Sequence, residues 1–287
     1  MVQNQNVSEP GQGWVLWWLD RLVVTLIASL IFICKLPFFR LQVAGRNNIP
    51  TQGRVLIFAN HSSYPGIFLG VYSFLWPWVL RYMAMLIIVV GKQKYLKHLG
   101  PIRSLLRHLR VIELPDKGKA GAAAVRREVI RRQVEVLTRF RNAILWVYGE
   151  GTRTDADKIL NPFLTGVGRL VAEAVRTGAD FKIMLFWDQG SQESWYKGQW
   201  PRLPLTWRFP FWRRFRVTYS ISRPIAAQDH TTTLYQLCQG DDIQLTSERV
   251  AAYLRSLLWA FAVEKHPELA QFESPDLDLV AGDLWRL

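Results

Sequence analysis

The sequence predicts an α/β domain, and three observations predict it. Apolar runs of five to seven residues recur along the chain, as in RVLIFA (54–59), AILWVY (143–148) and FKIMLFW (181–187). Segments of helical period alternate with them. Two polar motifs, Asn60-His61 and Gly149-Glu150-Gly151-Thr152-Arg153, each follow such a run directly. In open α/β sheets that is where sites form, at the carboxyl ends of strands.

Residues 1–13 are polar and carry no Lys or Arg, unlike the start of a signal peptide. Residues 14–34, WVLWWLDRLVVTLIASLIFIC, cover roughly 30 Å as a helix, about one hydrocarbon core. Asp20 and Arg21 interrupt the run. It reads as a short span, as a helix lying in the membrane interface with Trp at headgroup level, or as a buried core helix, and the Trp cluster favours the membrane. Lys35, Arg40, Arg46 and Arg54 follow, which sets the downstream domain on the cytoplasmic side.

LQVAG (41–45) and RVLIFA (54–59) are expected strands around the turn RNNIPTQG. Residues 67–80 are uncharged and read as a short helix, buried or touching membrane, followed after Arg81 by a second apolar run to Val90. HLRVIEL (108–114) reads as a strand. Residues 119–141 form a helix with Val125, Val129, Leu137 and Phe140 on one face. AILWVY is a buried strand, GVGRLVAEAVRTG (166–178) a helix ending at glycine, and FKIMLFW and FRVTYSI (215–221) are strands. Residues 245–263 form the last helix.

The 287 residues are 49% hydrophobic, enough for a sizeable core, and include thirteen tryptophans. The net charge of +13 is uneven: residues 228–287 hold ten acidic and four basic side chains, net −6, so residues 1–227 carry +19. A basic body points to an anionic partner. The basic residues are spread among apolar runs without a nucleic-acid-binding motif, which argues against nucleic acid and leaves an anionic membrane surface or a phosphorylated substrate. Two separated cysteines, Cys34 and Cys238, exclude a disulfide framework and a cysteine zinc site.

His61 is of the residue type that accepts and returns a proton near neutral pH. Ser62 and Ser63 read as helix caps, since no nucleophile elbow surrounds them. In GEGTRT (149–154) the glycines admit close approach of backbone, Thr152 and Thr154 offer hydroxyls, and Arg153 presents a planar fork suited to phosphate.

Together these segments resemble the glycerolphosphate acyltransferase superfamily, the PlsC-like lysophospholipid acyltransferases. VAGRNNIPTQGRVLIFANHSSY is similar to the approach to the family's first motif, and GKQKYLKHLGPIRSLLRHLRVIEL to its central block. ILWVYGEGTRT with NPFLTGVGRLVAEA resembles the third motif and the helix behind it, and RVTYSISRPI the late strand. The resemblance covers roughly residues 40–230. It implies a single acyltransferase domain with a mixed sheet flanked by helices, here residues 40–265. Residues 1–39 would be a polar leader and hydrophobic membrane-associating segment, and residues 266–287 an acidic tail.

It also implies transfer of a fatty acyl chain from acyl-CoA or acyl-carrier protein to the hydroxyl of a lysophospholipid such as lysophosphatidic acid. His61 would be the general base, with no metal, no cofactor and no acyl-enzyme. Glu150, Gly151, Thr152 and Arg153 would bind the acceptor, with Arg153 on its phosphate. The enzyme would sit on an anionic membrane with its catalytic domain facing the cytoplasm.

The chain departs from the family pattern in four places. The first motif carries Asp five residues after His, where this chain has Gly66. The second motif ends in Arg, where this chain runs Glu113-Leu114, with Arg110 and Lys117 as substitutes. Gly149 replaces the Pro before Glu150, and Ile183–Asp188 lacks the Pro of the fourth motif. For Gly66 three readings follow. Another carboxylate, Glu113 or Glu150, supports His61; or His61 works with a backbone carbonyl or a hydroxyl such as that of Tyr64; or the chain keeps the fold and binds lipid at the membrane without catalysis.

Overall fold

The computed structural model describes residues 22, 26, 29, 39–61, 86–92, 111–114, 122–151, 154, 159–191 and 215–272. Eight strands form one sheet: β1 (Phe39–Ala44), β2 (Arg54–Ala59), β3 (Leu86–Lys92), β4 (Val111–Leu114), β5 (Ala143–Tyr148), β6 (Lys182–Gln189), β7 (Phe215–Ile221) and β8 (Ile225–Ala226). The order is β1-β7-β6-β2-β5-β3-β4, with β8 on the amino-terminal part of β6. β2 runs parallel to both β5 and β6, β3 parallel to β4 and β5, and β1 parallel to β7, whereas β6 meets β7 and β8 antiparallel. The sheet is therefore mixed.

Central parallel strands are covered on both faces, so they read as unbroken apolar runs rather than alternating ones. β5 is buried at all six positions and β2 at five of six. Leu56, Phe58, Leu145, Val147, Ile183, Leu185 and Trp187 join the helices in one core. The intervening Ile57, Ala59, Trp146, Tyr148, Met184 and Phe186 point to the other face by the strand's period of two and are buried as well.

The helices are α1 (Ala122–Arg139), α2 (Thr165–Arg176), α3 (Thr233–Cys238) and α4 (Ile243–Lys265). Asp242 caps α4, its carboxylate accepting from the backbone N–H groups of Gln244 and Leu245 at 2.7 and 3.2 Å. Helices α2 and α4 approach so closely at Gly168 that a Cβ there would lie 1.9 Å from the carbonyl oxygen of Ser247 and 2.8 Å from the amide nitrogen of Ala251. With α1, whose Val129, Val136 and Leu137 join the same core, this helix pair forms the layer on that face of the sheet.

Among the described residues the expected strands and helices lie where the sequence indicates, with shifted ends. Three elements were not expected, the short β8 among them. β3 takes the end of the second apolar run together with Gly91 and Lys92, and α3 precedes the last helix. The packed body also continues past Lys265, because the 3-10 turn Pro267–Gln271 buries Leu269 in the core. Among the described residues no helix is long and apolar enough to cross a membrane. Most of residues 14–34 lie outside the described set, but Leu22 and Leu26 are helical and exposed. The expected helix over 67–80 lies outside it too, as do Ser62, Ser63, Tyr64, Gly66, Arg110 and Lys117.

Candidate active site

Strand β2 stops at Ala59, and the next residue fixes how it stops. The Asn60 backbone N–H donates to the Phe186 carbonyl at 3.4 Å, continuing the parallel ladder towards β6. Its side chain then takes both backbone groups of Asp188. The amide nitrogen donates to the Asp188 carbonyl at 2.9 Å, and the amide oxygen accepts from the Asp188 N–H at 2.7 Å. Asn60 is buried, and its side chain serves as one more rung between β2 and β6.

His61 comes next and is tied from the other side. Strand β5 ends at Tyr148 in a tight turn closed by the Gly151 N–H donating to the Tyr148 carbonyl at 3.0 Å. Gly151 sits at φ 61, in the left-handed region where glycine carries no side-chain penalty. Gly149 meets a different demand. A Cβ there would lie 2.6 Å from the Phe163 ring, so packing of that ring favours glycine.

The turn aims Glu150 inwards. One carboxylate oxygen accepts from the His61 backbone N–H at 2.8 Å. The other accepts from the Thr154 hydroxyl at 2.8 Å and the Asn161 backbone N–H at 2.9 Å. Thr154 closes the loop, its own N–H donating to the His61 carbonyl at 2.8 Å. Both backbone groups of His61 are thus held by the β5 loop. Glu150 is 2% exposed. Burial pushes its carboxyl up to about 7, against the pull of its donors and of the Arg255 charge on α4.

The His61 ring lies against the Tyr148 ring, with centroids 4.6 Å apart. Beyond it, on β6, Asp188 is 3% exposed and accepts from the Ser191 hydroxyl. Tyr148 and Tyr219 are buried in the field of this carboxylate. Burial first, and the Asp188 charge second, hold both phenols well above their ordinary range, so they stay protonated.

The structure therefore brings His61, Glu150 and Gly151 together. Thr152 and Arg153 lie outside the described residues. The Glu150 oxygens accept from groups of the chain itself, the His61 and Asn161 amides and the Thr154 hydroxyl. Glu113 was one of two carboxylates, with Glu150, that one of the three readings offered as a support for His61. It lies on β4, three strands from β2, roughly 14 Å away at ordinary strand spacing. The sequence offers Thr154 as a hydroxyl of the loop, where it donates to Glu150, and gives no role to Asp188 or Asn161. The signal for Asp188 was present: a carboxylate closing an apolar strand, two residues before Gly190.

The site is thus a strand-end histidine tied to a buried Glu-Gly turn on a mixed α/β sheet. The model of the acyltransferase family matches residues 40–186, from β1 into β6. The chain belongs to that family. No curated protein matches the chain. Among solved structures it is similar to the 1-acyl-sn-glycerophosphate (LPA) acyltransferase PlsC from Thermotoga maritima, with 18% identity over 83% of this chain and 79% of that one and a TM-score of 0.48.

Proposed function

We propose that the protein transfers a fatty acyl chain from a thioester, acyl-CoA or acyl-carrier protein, to the free hydroxyl of a lysophospholipid resembling lysophosphatidic acid. The observation that carries this reading is the fixation of His61: both of its backbone groups are bonded to the β5 loop while its ring stands at the carboxyl edge of the sheet.

In this reading His61 is the catalytic base. The acceptor oxygen attacks the thioester carbonyl carbon as the imidazole takes the hydroxyl proton. The tetrahedral intermediate then collapses, the carbon–sulfur bond breaks, and the proton passes to the departing thiolate. The products are an ester and a free thiol. Glu150 acts as a positioning residue through the His61 amide, and Arg153 receives the acceptor phosphate. The basic body and the Trp-rich amino-terminal segment hold the enzyme on an anionic membrane, where its lipid substrates reside.

The test is acyl transfer from labelled acyl-CoA, then acyl-carrier protein, to a panel of lysophospholipids in membranes. His61→Ala is expected to lower kcat by about 10³-fold, the scale of a lost general base. Gly66, in place of the motif carboxylate, favours a second reading, a membrane lipid-binding protein that keeps the fold. Lysolipid binding without turnover across the whole panel would establish it.

A further inference from the structure

We propose that Arg255 of helix α4 is a positioning residue of the site: it holds the Leu160–Asn161 peptide, which in turn holds Glu150 on the His61 amide. The inference rests on the acyltransferase reading for its effect on turnover, while the contacts stand by themselves.

The contacts run through one peptide plane. The Leu160 carbonyl accepts from Nη2 of the Arg255 guanidinium at 3.1 Å. The N–H on the other side of the same peptide, that of Asn161, donates to a Glu150 carboxylate oxygen at 2.9 Å. The C=O and N–H of a trans peptide point in opposite directions, so a cation stands at one end of this plane and a carboxylate at the other. Each polarises the peptide in the sense that strengthens the bond at the far end. The other Glu150 oxygen accepts from the His61 N–H at 2.8 Å. Helix α4 is thereby linked to the strand-end histidine through hydrogen bonds in series.

The segment that carries this peptide is seated on the same turn elsewhere too. The Leu164 N–H donates to the Gly149 carbonyl at 2.9 Å, and the Phe163 ring lies against Gly149. Leu160 and Asn161 are buried. Arg255 is half-buried between the buried Leu254 and Ser256, and it is the sole charged residue between Arg249 and Glu264. A guanidinium set into the apolar stretch of a core helix is costly unless partners meet it, and the loop carbonyl is one such partner.

The charge matters as well as the bond. Burial raises the Glu150 carboxyl, while the His61, Asn161 and Thr154 donors and then the Arg255 charge draw it down. A protonated Glu150 would turn an O–H towards groups that themselves donate, so only the carboxylate accepts all of these bonds. Arg255 favours that form. Among the described residues the charged and titratable groups about Glu150 are Arg255 from α4, His61 at the end of β2 and Tyr148 at the end of β5, with Asp188 of β6 beyond Tyr148.

Arg255→Met in the full chain removes both the charge and the donor. The Glu150 carboxyl, followed by NMR of carbon-13 glutamate-labelled protein and assigned with Glu150→Gln, should titrate about one unit higher than in the unaltered protein. At pH 7 kcat should fall by about threefold, and it should recover by about pH 9, where the carboxyl is ionised again. Damage to packing alone would lower kcat equally at both pH values. Arg255→Lys, which keeps the charge, should bring the titration back to within about half a unit. A Glu150 titration in Arg255→Met within about 0.3 unit of the unaltered protein, or a kcat lowered equally at pH 7 and 9, would overturn the proposal. Absence of turnover in the unaltered protein would sink the acyltransferase reading alone, because the titration still reports on Arg255. Should Arg255→Met not fold, Arg255→Gln decides by the same titration, since it keeps an N–H for Leu160 and drops the charge: an upward shift supports the proposal and an unmoved carboxyl refutes it.

Discussion

The two faces of the central strands are buried alike but made of different groups. Towards the helices they present Leu56, Phe58, Leu145, Val147, Ile183, Leu185 and Trp187, with no polar side chain among them. On the other side the same strands begin apolar, with Ile57, Ile144 and Met184, and turn polar towards their carboxyl ends with Tyr148 and Asp188. His61 and, from β7, Tyr219 join them there. The helix side lowers free energy by covering apolar area. The other side keeps polar groups that only compensating partners make tolerable. Stability and chemistry are thus divided between faces of one sheet, and substitutions on each face should move different observables.

The largest effect on stability is expected at Gly168, in the helical layer. An alanine Cβ would meet the backbone of α4 at Ser247 and Ala251. Backbone atoms cannot swing aside as a flexible side chain can, so α2 and α4 must separate. Overpacking of this kind costs about 3 kcal/mol. Gly168→Ala should lower the thermal midpoint accordingly, while turnover per folded molecule stays within about twofold. If turnover fell as steeply as stability, the division between the two faces would be false.

Glu150 comes next, because it joins the two functions. Glu150→Gln keeps the size but turns an amide N–H towards groups that all donate: the His61 and Asn161 amides and the Thr154 hydroxyl. A loss of about 1–3 kcal/mol is expected, with kcat falling by roughly tenfold as His61 loses its anchor. The pH dependence has a definite sign. The carboxyl sits near 4.5 in the unfolded chain and is pushed up to about 7 in the folded one. Between these values the folded state binds the extra proton. Its contribution to stability is therefore complete below pH 4.5 and is lost as pH rises through about 7. Over that window stability should decline by on the order of 3 kcal/mol, and Glu150→Gln should flatten that part of the curve. Chemical denaturation between pH 4.5 and 8 reads both.

How much of this was legible in the sequence follows from what is local. The runs at 54–59, 143–148 and 181–187 could be read because strands covered on both faces need continuous apolar residues. His61 and the Glu150 turn could be found because each follows such a run. β3 was missed because its apolar residues continue a longer run and Gly91-Lys92 reads as the start of the next segment. Asp188 was missed for a deeper reason. Nothing in the chain says that Asn60 and a residue 128 positions later share a rung; that depends on β6 entering the sheet beside β2. The inward turn of Glu150 was hidden likewise, because its donors at His61, Thr154 and Asn161 converge only in the folded loop.

The smallest effect is expected from Tyr148→Phe, and it sharpens the comparison most finely. Two properties of Tyr148 bear on the site, the ring that packs on His61 and the hydroxyl in the field of Asp188. Phenylalanine keeps the first and removes the second. Burial holds the phenol protonated, and its oxygen has no hydrogen-bond partner among the described residues, so removing it costs about 1 kcal/mol at most. Both kcat and the thermal midpoint should therefore move little, kcat by less than about fivefold. Tyr148→Ala, which removes the ring, should cost about 3 kcal/mol or more and release His61 from one side. If Tyr148→Phe instead lowered kcat by more than about 100-fold at unchanged stability, the hydroxyl would belong to the proton path.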